Sequence, residues 1–289
     1  MIYLLITSLL WAFSFGLVKN SLSGIDSNFV AAARLGISLL VFLPLLRPRG
    51  IHRSQILRLI LCGAVQYGGM YIAYLYSFGF LQAYEVALFT IFTPLYVTLI
   101  NDWEQRRFNA YSLAAVFLTI AGTWIVQGGG LLSPDVLVGF WIVQVSNLCF
   151  AFGQLFYRRL VAGSIQQDMR VFALPYLGGF LAAALSAGIF TNWGQLAVQP
   201  SQWLVLLYLG AIASGLGFFL WNVGARKVQA GTLAIFNDLK IPLAVIVSLL
   251  FFGETVNLLQ LTAGGSLALL GLFLNEWSSR RELVKIPTA

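Results

Sequence analysis

The sequence predicts an all-α integral membrane protein: ten transmembrane helices as two inverted five-helix repeats around a central cavity, with both termini cytoplasmic. Three observations predict it. Hydrophobic residues make up 59% of the 289 and charged residues only 9%, with a mean hydropathy of +0.85, whereas an ordinary soluble domain carries roughly a quarter charged residues. Apolar runs of about twenty residues, the length that crosses a hydrocarbon core, recur from end to end between short polar breaks. Lys and Arg gather in every second break.

Taken in order, the runs place helices near 2–18, 28–46, 56–79, 83–100, 110–126, 136–157, 170–190, 203–225, 230–252 and 257–277. The first, Ile2 to Val18, lacks a basic leader and is followed by nine similar segments, so it reads as a span and not as a cleaved signal peptide. The runs are continuously apolar, without the period of two of a membrane barrel strand.

The loop after span two holds Arg47, Arg49, Arg53 and Arg58. Arg106 and Arg107 follow span four, and Arg158, Arg159 and Arg170 follow span six. Arg226 and Lys227 follow span eight, and the tail holds Arg280, Arg281 and Lys285. Fourteen of the seventeen basic residues thus fall on one side and Lys19 alone on the other, with Arg34 and Lys240 inside spans. The positive-inside rule makes the crowded side, and both termini, cytoplasmic.

A shift of 147 residues lays Gly63 on Gly210, Ala64 on Ala211, Gly68 on Gly215 and Gln82 with Ala83 on Gln229 with Ala230. Ala87 and Phe89 fall on Ala234 and Phe236, and one insertion later Pro94 and Leu95 fall on Pro242 and Leu243. The match divides one compact membrane domain into a first five-helix repeat, 1–130, and a second, 131–289. Five is odd, so the second repeat enters the membrane upside down, the arrangement of many secondary transporters.

Cys62 and Cys149 lie inside apolar runs and His52 is the single histidine, so no metal site or disulfide is expected. The net charge of +7 is scattered through loops, which argues against a nucleic-acid partner. No phosphate loop, catalytic triad or metal cluster is present in the sequence, so neither an enzyme nor a cofactor is expected.

Ionisable groups within a bilayer are costly unless paired or hydrated, and mark function. Lys240 lies ten residues into span nine, about 15 Å deep at roughly 1.5 Å per residue. It reads as the contact for a substrate carboxylate, or as half of an ion pair with Glu85 or, less suitably, Asp238. Arg34 and Glu85 read either as a salt bridge closing the outer mouth or as a substrate contact and a proton-carrying carboxylate, and Asp238 as a second candidate for coupling. Gln144, Asn147, Ala151 and Gln154 form a polar or small stripe on span six, facing a cavity or bonding a neighbouring helix. Span three carries Tyr67, Tyr71, Tyr74 and Phe78, and span eight Ser214, Phe218, Trp221 and Ala225 beside Asn222. These stripes read as packing or as a cavity lining for a planar ligand, with Asn237 of span nine a further polar contact. Pro94 and Pro242 interrupt the helical ladder in corresponding spans, and such paired breaks point to a transporter's binding region and its gating. Gly264, Gly265 and Ala268 of span ten suit internal packing or a dimer face, so monomer and homodimer both stay open.

The five plus five helices, the two helical prolines, and Gly253 with Glu254 closing span nine resemble the drug/metabolite transporter superfamily, in its ten-helix EamA branch. Within that branch WAFSF (11–15), TPLYVTLI (93–100) with Asp102, VQVSN (143–147), ASGLGFFLWNVGA (213–225) and AGTL (230–233) resemble the bacterial biotin transporters of the carboxylate, amino acid and amine group. The resemblance implies a cavity between the halves lined by spans one, three, four, six, eight and nine, alternating access, and residence in the bacterial inner membrane. It implies a small-molecule substrate such as biotin or a similar carboxylate, and the carboxylates Glu85 and Asp238 make protons a candidate partner in transport. Many members carry an acid just before the second proline; Ile241 stands there, with Lys240 one earlier, which suits an anion. An exporter of amino acids or other metabolites is the rival on the same fold, and a membrane enzyme or lipid flippase the rival from another class.

Overall fold

A computed structural model of the chain describes residues 1–48, 50–104, 106, 110–126, 128, 133–161, 164–228, 230–255 and 257–284. Arg49, Arg107, Gln229 and Lys285, named above, lie outside the described residues. The elements among the described residues are all helices, without a strand.

Among the described residues seven helices are long and apolar enough to cross a membrane: α1 (Ile2–Ser21), α2 (Ser27–Leu45), α3 (Arg53–Ser77), α4 (Ala83–Glu104), α6 (Pro134–Leu160), α7 (Ile165–Phe190) and α8 (Pro200–Ala225). The remaining helices are α5 (Ala110–Val126) between the fourth and fifth of these, and α9 (Ala230–Phe251) and α10 (Leu258–Val284) at the end. Most run a few residues past the apolar stretch that predicts them, because polar caps extend the ladder. Ser133 accepts from the Val136 amide ahead of α6, with Pro134 next, and Gln199 builds a capping box before Pro200 of α8. A proline in the first turn costs nothing there, since its missing N–H would have no helical partner.

Helix α2 packs on α7 and α8, α3 on α7 and α6, α1 on α8 and α9, and α5 on α10 at the periphery. The close approaches are made where glycine removes the side chain. A Cβ on Gly63 would stand 1.8 Å from the Pro175 carbonyl oxygen, and one on Gly178 would stand 1.8 Å from that of Ile60. Gly264 and Ala268 of α10 meet Gly122 of α5, while Gly265 faces open space. The first two are therefore used inside the bundle.

Two spans widen into a π-helix, α3 at Ala64–Gly69 and α8 at Tyr208–Leu216. Such segments break the regular bonding of an α-helix and recur at functional sites. In α8 side chains from other helices meet carbonyls in and beside the π-helix. Ser38 donates to Gly210 O at 2.7 Å, Trp11 to Ala213 O at 2.9 Å, and Tyr176 to Ser214 O at 2.8 Å and Gly215 O at 2.9 Å. Away from water each backbone polar group needs a partner, so these bonds fix how α1, α2 and α7 seat on α8.

Both ends of the bundle are tied. At one, the buried Asp168 pairs with Arg226 and accepts from the Tyr157 hydroxyl at 3.0 Å, and Arg226 also donates to Val161 O at 2.9 Å. At the other, the Glu254 carboxylate accepts the amides of Ala83 and Tyr84 at 2.8 and 3.0 Å, joining the loop after α9 to the positive N-terminus of α4. Asp26 caps α2 through the Phe29 amide and takes the Thr191 hydroxyl at 2.6 Å.

Gly178→Ala is expected to force α7 off α3 and lower stability by about 1–3 kcal/mol or more, seen as a lower melting temperature of the detergent-solubilised protein. Gly188→Ala, on the same helix with nothing within 4 Å, should leave melting unchanged or raise it slightly. Equal melting of the two variants would contradict this packing.

Candidate functional site

Between the helices lies a narrow cavity of about 70 Å³. Helix α1 contributes Trp11, Ser14 and Phe15, α2 contributes Arg34, and α3 contributes Met70, Tyr71 and Tyr74. Helix α4 adds Thr90 and Thr93, α6 adds Ser146, Asn147 and Phe150, α8 adds Phe218, and α9 adds Lys240. Apolar walls with a few placed polar groups are the general form of a small-molecule site.

Two of these side chains are cations and none is acidic. Arg34 is only 1% exposed. Its Nε and Nη2 donate to Ser214 Oγ at 3.3 and 3.0 Å, and Nη2 also to the Tyr71 hydroxyl at 3.0 Å. Tyr71 and Ser214 bond each other at 2.7 Å, and the guanidinium lies 4.5 Å over the Tyr71 ring. Three of its five N–H groups are thereby occupied, while Nη1 is buried without a hydrogen-bond partner.

Lys240 is equally buried, at 5%. Its Nζ donates to Asn237 Oδ1 at 3.2 Å and stands 5.4 Å from the centre of the Trp11 ring. Between the cations runs a row of rings, with Trp11 5.0 Å from Phe218 and Phe218 5.9 Å from Tyr71. Trp11 is held by its bond to Ala213 O, so the row is anchored to the π-helix of α8.

Helix α4 reaches the cavity through a break. A 3₁₀ turn at Thr90–Phe92 precedes Thr93 and the buried Pro94, and Asn147 Nδ2 donates to Phe89 O at 2.8 Å beside that break. Asn147 also accepts from the Thr93 hydroxyl at 3.2 Å and donates to Gln144 Oε1 at 3.1 Å. Pro242 stands on the opposite face of α9 from this role, exposed in an outer apolar groove with Leu88, Ile91 and Leu261.

Of the side chains singled out in the sequence, Lys240, Tyr71, Tyr74, Asn147, Arg34 and Phe218 line the cavity. The others are placed behind it. Tyr67 stacks on Tyr176 at 5.1 Å and accepts from Asn222 Nδ2 at 3.1 Å. Trp221 donates to Gln154 Oε1 at 3.2 Å, Gln144 accepts from the Tyr96 hydroxyl at 3.3 Å, and Asn237 supports Lys240. Glu85 completes the capping box at the start of α4 with the Gln82 amide at 2.8 Å. Asp238 accepts from Asn237 Nδ2 at 3.4 Å. Sequence reasoning missed Trp11, Ser14 and Phe15, whose spacing of three and four on α1 was the available signal, and it missed Ser214 as the partner of Arg34.

Comparison with known proteins adds an independent line. The family model described as the EamA-like transporter family matches residues 1–127 and 137–277. A probable biotin transporter of Pseudomonas aeruginosa is 38% identical, over 96% of this chain and 98% of that protein. A biotin transporter of Salmonella typhimurium is also 38% identical, over 97% of this chain and 95% of that protein. A solved crystal structure at 18% identity superimposes with a TM-score of 0.70, covering 97% of this chain and 98% of that one, a likeness of fold alone.

With Cys62 and Cys149 replaced by Ala, Ser146→Cys is expected to react with an anionic thiosulfonate at least tenfold faster than with a cationic one, each rate taken relative to a free thiol in solution. Leu185→Cys, on the outer surface of α7 and 67% exposed, should show no such preference. A cationic preference at Ser146→Cys would contradict a cavity dominated by Arg34 and Lys240.

Proposed function

The chain belongs to the EamA-like transporter family, and from that premise we propose that it carries biotin, or a closely similar small carboxylate, inward across the bacterial cytoplasmic membrane by alternating access. Membership makes it a multi-pass membrane transporter of a small molecule and not an enzyme. The observation that carries the substrate reading is the cavity itself, with two buried cations and no acid among its lining residues. A carboxylate entering it offsets, by charge pairing, the desolvation cost of the buried ammonium. The relatives named as biotin transporters narrow the class to a ligand with a carboxylate, an apolar body and a planar ring, for which Lys240 and the rings of Trp11 and Phe218 are complementary.

The proposed architecture is ten spans in two inverted repeats, 1–130 and 131–289, with both termini cytoplasmic. Its support is the crowding of basic residues in alternate loops and the paired π-helices, since Ala64–Gly69 moved by 147 positions falls inside Tyr208–Leu216. On this arrangement the Asp168–Arg226 pair ties the cytoplasmic end and Glu254 ties the outer end. The proposal includes proton coupling through Glu85 or Asp238. Asp238 is the better placed, one residue from the Asn237 that holds Lys240.

Cells lacking their own biotin carrier should gain saturable uptake of nanomolar labelled biotin on receiving this protein, and excess unlabelled biotin should abolish it. Protein verified in the membrane without uptake would overturn the reading in favour of an exporter. Lys240→Ala should weaken biotin binding at least tenfold, about 1.4 kcal/mol, with unchanged elution of the purified protein; unchanged affinity would remove Lys240 from the site. An uncoupler should abolish concentrative uptake, and uptake that persists would assign facilitated diffusion.

A further inference from the structure

We infer that the cavity reads its substrate at both ends, with Lys240 taking the carboxylate and Arg34 Nη1 donating to an uncharged carbonyl oxygen at the far end of the same molecule. This rests on the reading of the cavity as a carboxylate site and adds the second determinant. The two cations cap opposite ends of one aromatic row: Lys240 lies over Trp11, and Arg34 over Tyr71, with Phe218 between the rings. A single carboxylate satisfies one of them and leaves the other buried. The two differ in what they can accept. Arg34 has spent Nε and Nη2 on Ser214 and Tyr71, so the two-point fork that suits a carboxylate is closed and only the N–H groups of Nη1 remain. That is a fit for one acceptor oxygen. The ammonium of Lys240 is a compact point charge with rotatable donors, and among the described residues Asn237 is its side-chain partner at hydrogen-bond distance.

A donor that is buried and unpartnered is expensive, and this one is immobilised by three hydrogen bonds and a ring before any ligand arrives. It therefore needs no ordering when the ligand binds. The ligand class follows: a monocarboxylate with an apolar middle and an amide- or urea-like carbonyl at the other end. A simple fatty carboxylate satisfies Lys240 alone, and a molecule with a cation in place of the distal carbonyl is repelled by Arg34.

The test is competition against labelled biotin on the purified full-length protein, using biotin, dethiobiotin, octanoate and 2-iminobiotin at pH 7. Biotin and dethiobiotin, which both keep the urea carbonyl, should compete alike. Octanoate and the cationic 2-iminobiotin should be at least tenfold weaker. Arg34→Gln should lose at least tenfold in biotin affinity while octanoate competes as before, whereas Lys240→Gln should lose both ligands. Equal competition by 2-iminobiotin and biotin on the wild-type protein would overturn the inference even if Arg34→Gln failed to fold. Folded Arg34→Gln that loses both ligands equally, or keeps its preference for biotin, would overturn it as well. If Lys240→Gln binds both ligands normally, the carboxylate site itself is refuted, a failure distinct from that of Arg34.

Discussion

The structure depends on holding two positive charges in the middle of an apolar bundle. A cation at such a depth is costly and is kept only where partners or a ligand compensate it. Arg34 has Ser214, the hydroxyl of Tyr71 and the face of its ring, and Lys240 has Asn237 and the face of Trp11. Asn237 stands one turn earlier on Lys240's own helix, but Ser214, Tyr71 and Trp11 come from other helices, so the cost of charge burial is met in large part by the assembled fold. The remaining deficit, an unpartnered Nη1 and an ammonium held at one point, is the basis on which an anionic, acceptor-bearing ligand is proposed.

The helices that supply those partners are positioned by the widened part of α8. Its carbonyls are taken by Ser38, Trp11 and Tyr176, residues of α2, α1 and α7. Ser214 sits in that same segment and holds Arg34, and Trp11 both bonds the segment and faces Lys240. Backbone satisfaction and charge satisfaction are thus met by one set of contacts. Glycines 63 and 178 let α3 and α7 approach to backbone contact, which sets α3 and with it Tyr71. The ties at the two ends, Asp168 with Arg226 and Glu254 on the start of α4, lie far from the cavity along the helices and are the contacts that alternating access would have to make and break.

Much of this was legible in the sequence. The apolar runs mark the helices because a hydrocarbon core sets their length, and Lys240, Arg34 and Asn147 stand out because polar groups are rare in such runs. What was not legible has physical causes. Helix α1 is apolar over most of its surface, so the spacing of Trp11, Ser14 and Phe15 was a weak signal for the face that meets the cavity. The pairing of Arg34 with Ser214 joins residues 180 positions apart, and a serine in an apolar run commonly bonds its own helix. Tyr67 and Trp221 share stripes with cavity residues, yet both are fully buried behind the cavity, where Tyr67 stacks on Tyr176 and Trp221 bonds Gln154 across the helix interface. Pro242 matches Pro94 in sequence and not in setting, one exposed in an outer groove and the other buried beside the broken turn of α4.

The central claim is that a carboxylate is received in this cavity by Lys240. The position of bound biotin in an experimentally determined structure of the protein tests it most directly. The account predicts the carboxylate within hydrogen-bonding distance of Lys240 Nζ and the rings of Trp11 and Phe218 against the body of the ligand. Biotin bound outside the cavity, or inside it with its carboxylate turned away from Lys240, would contradict the account.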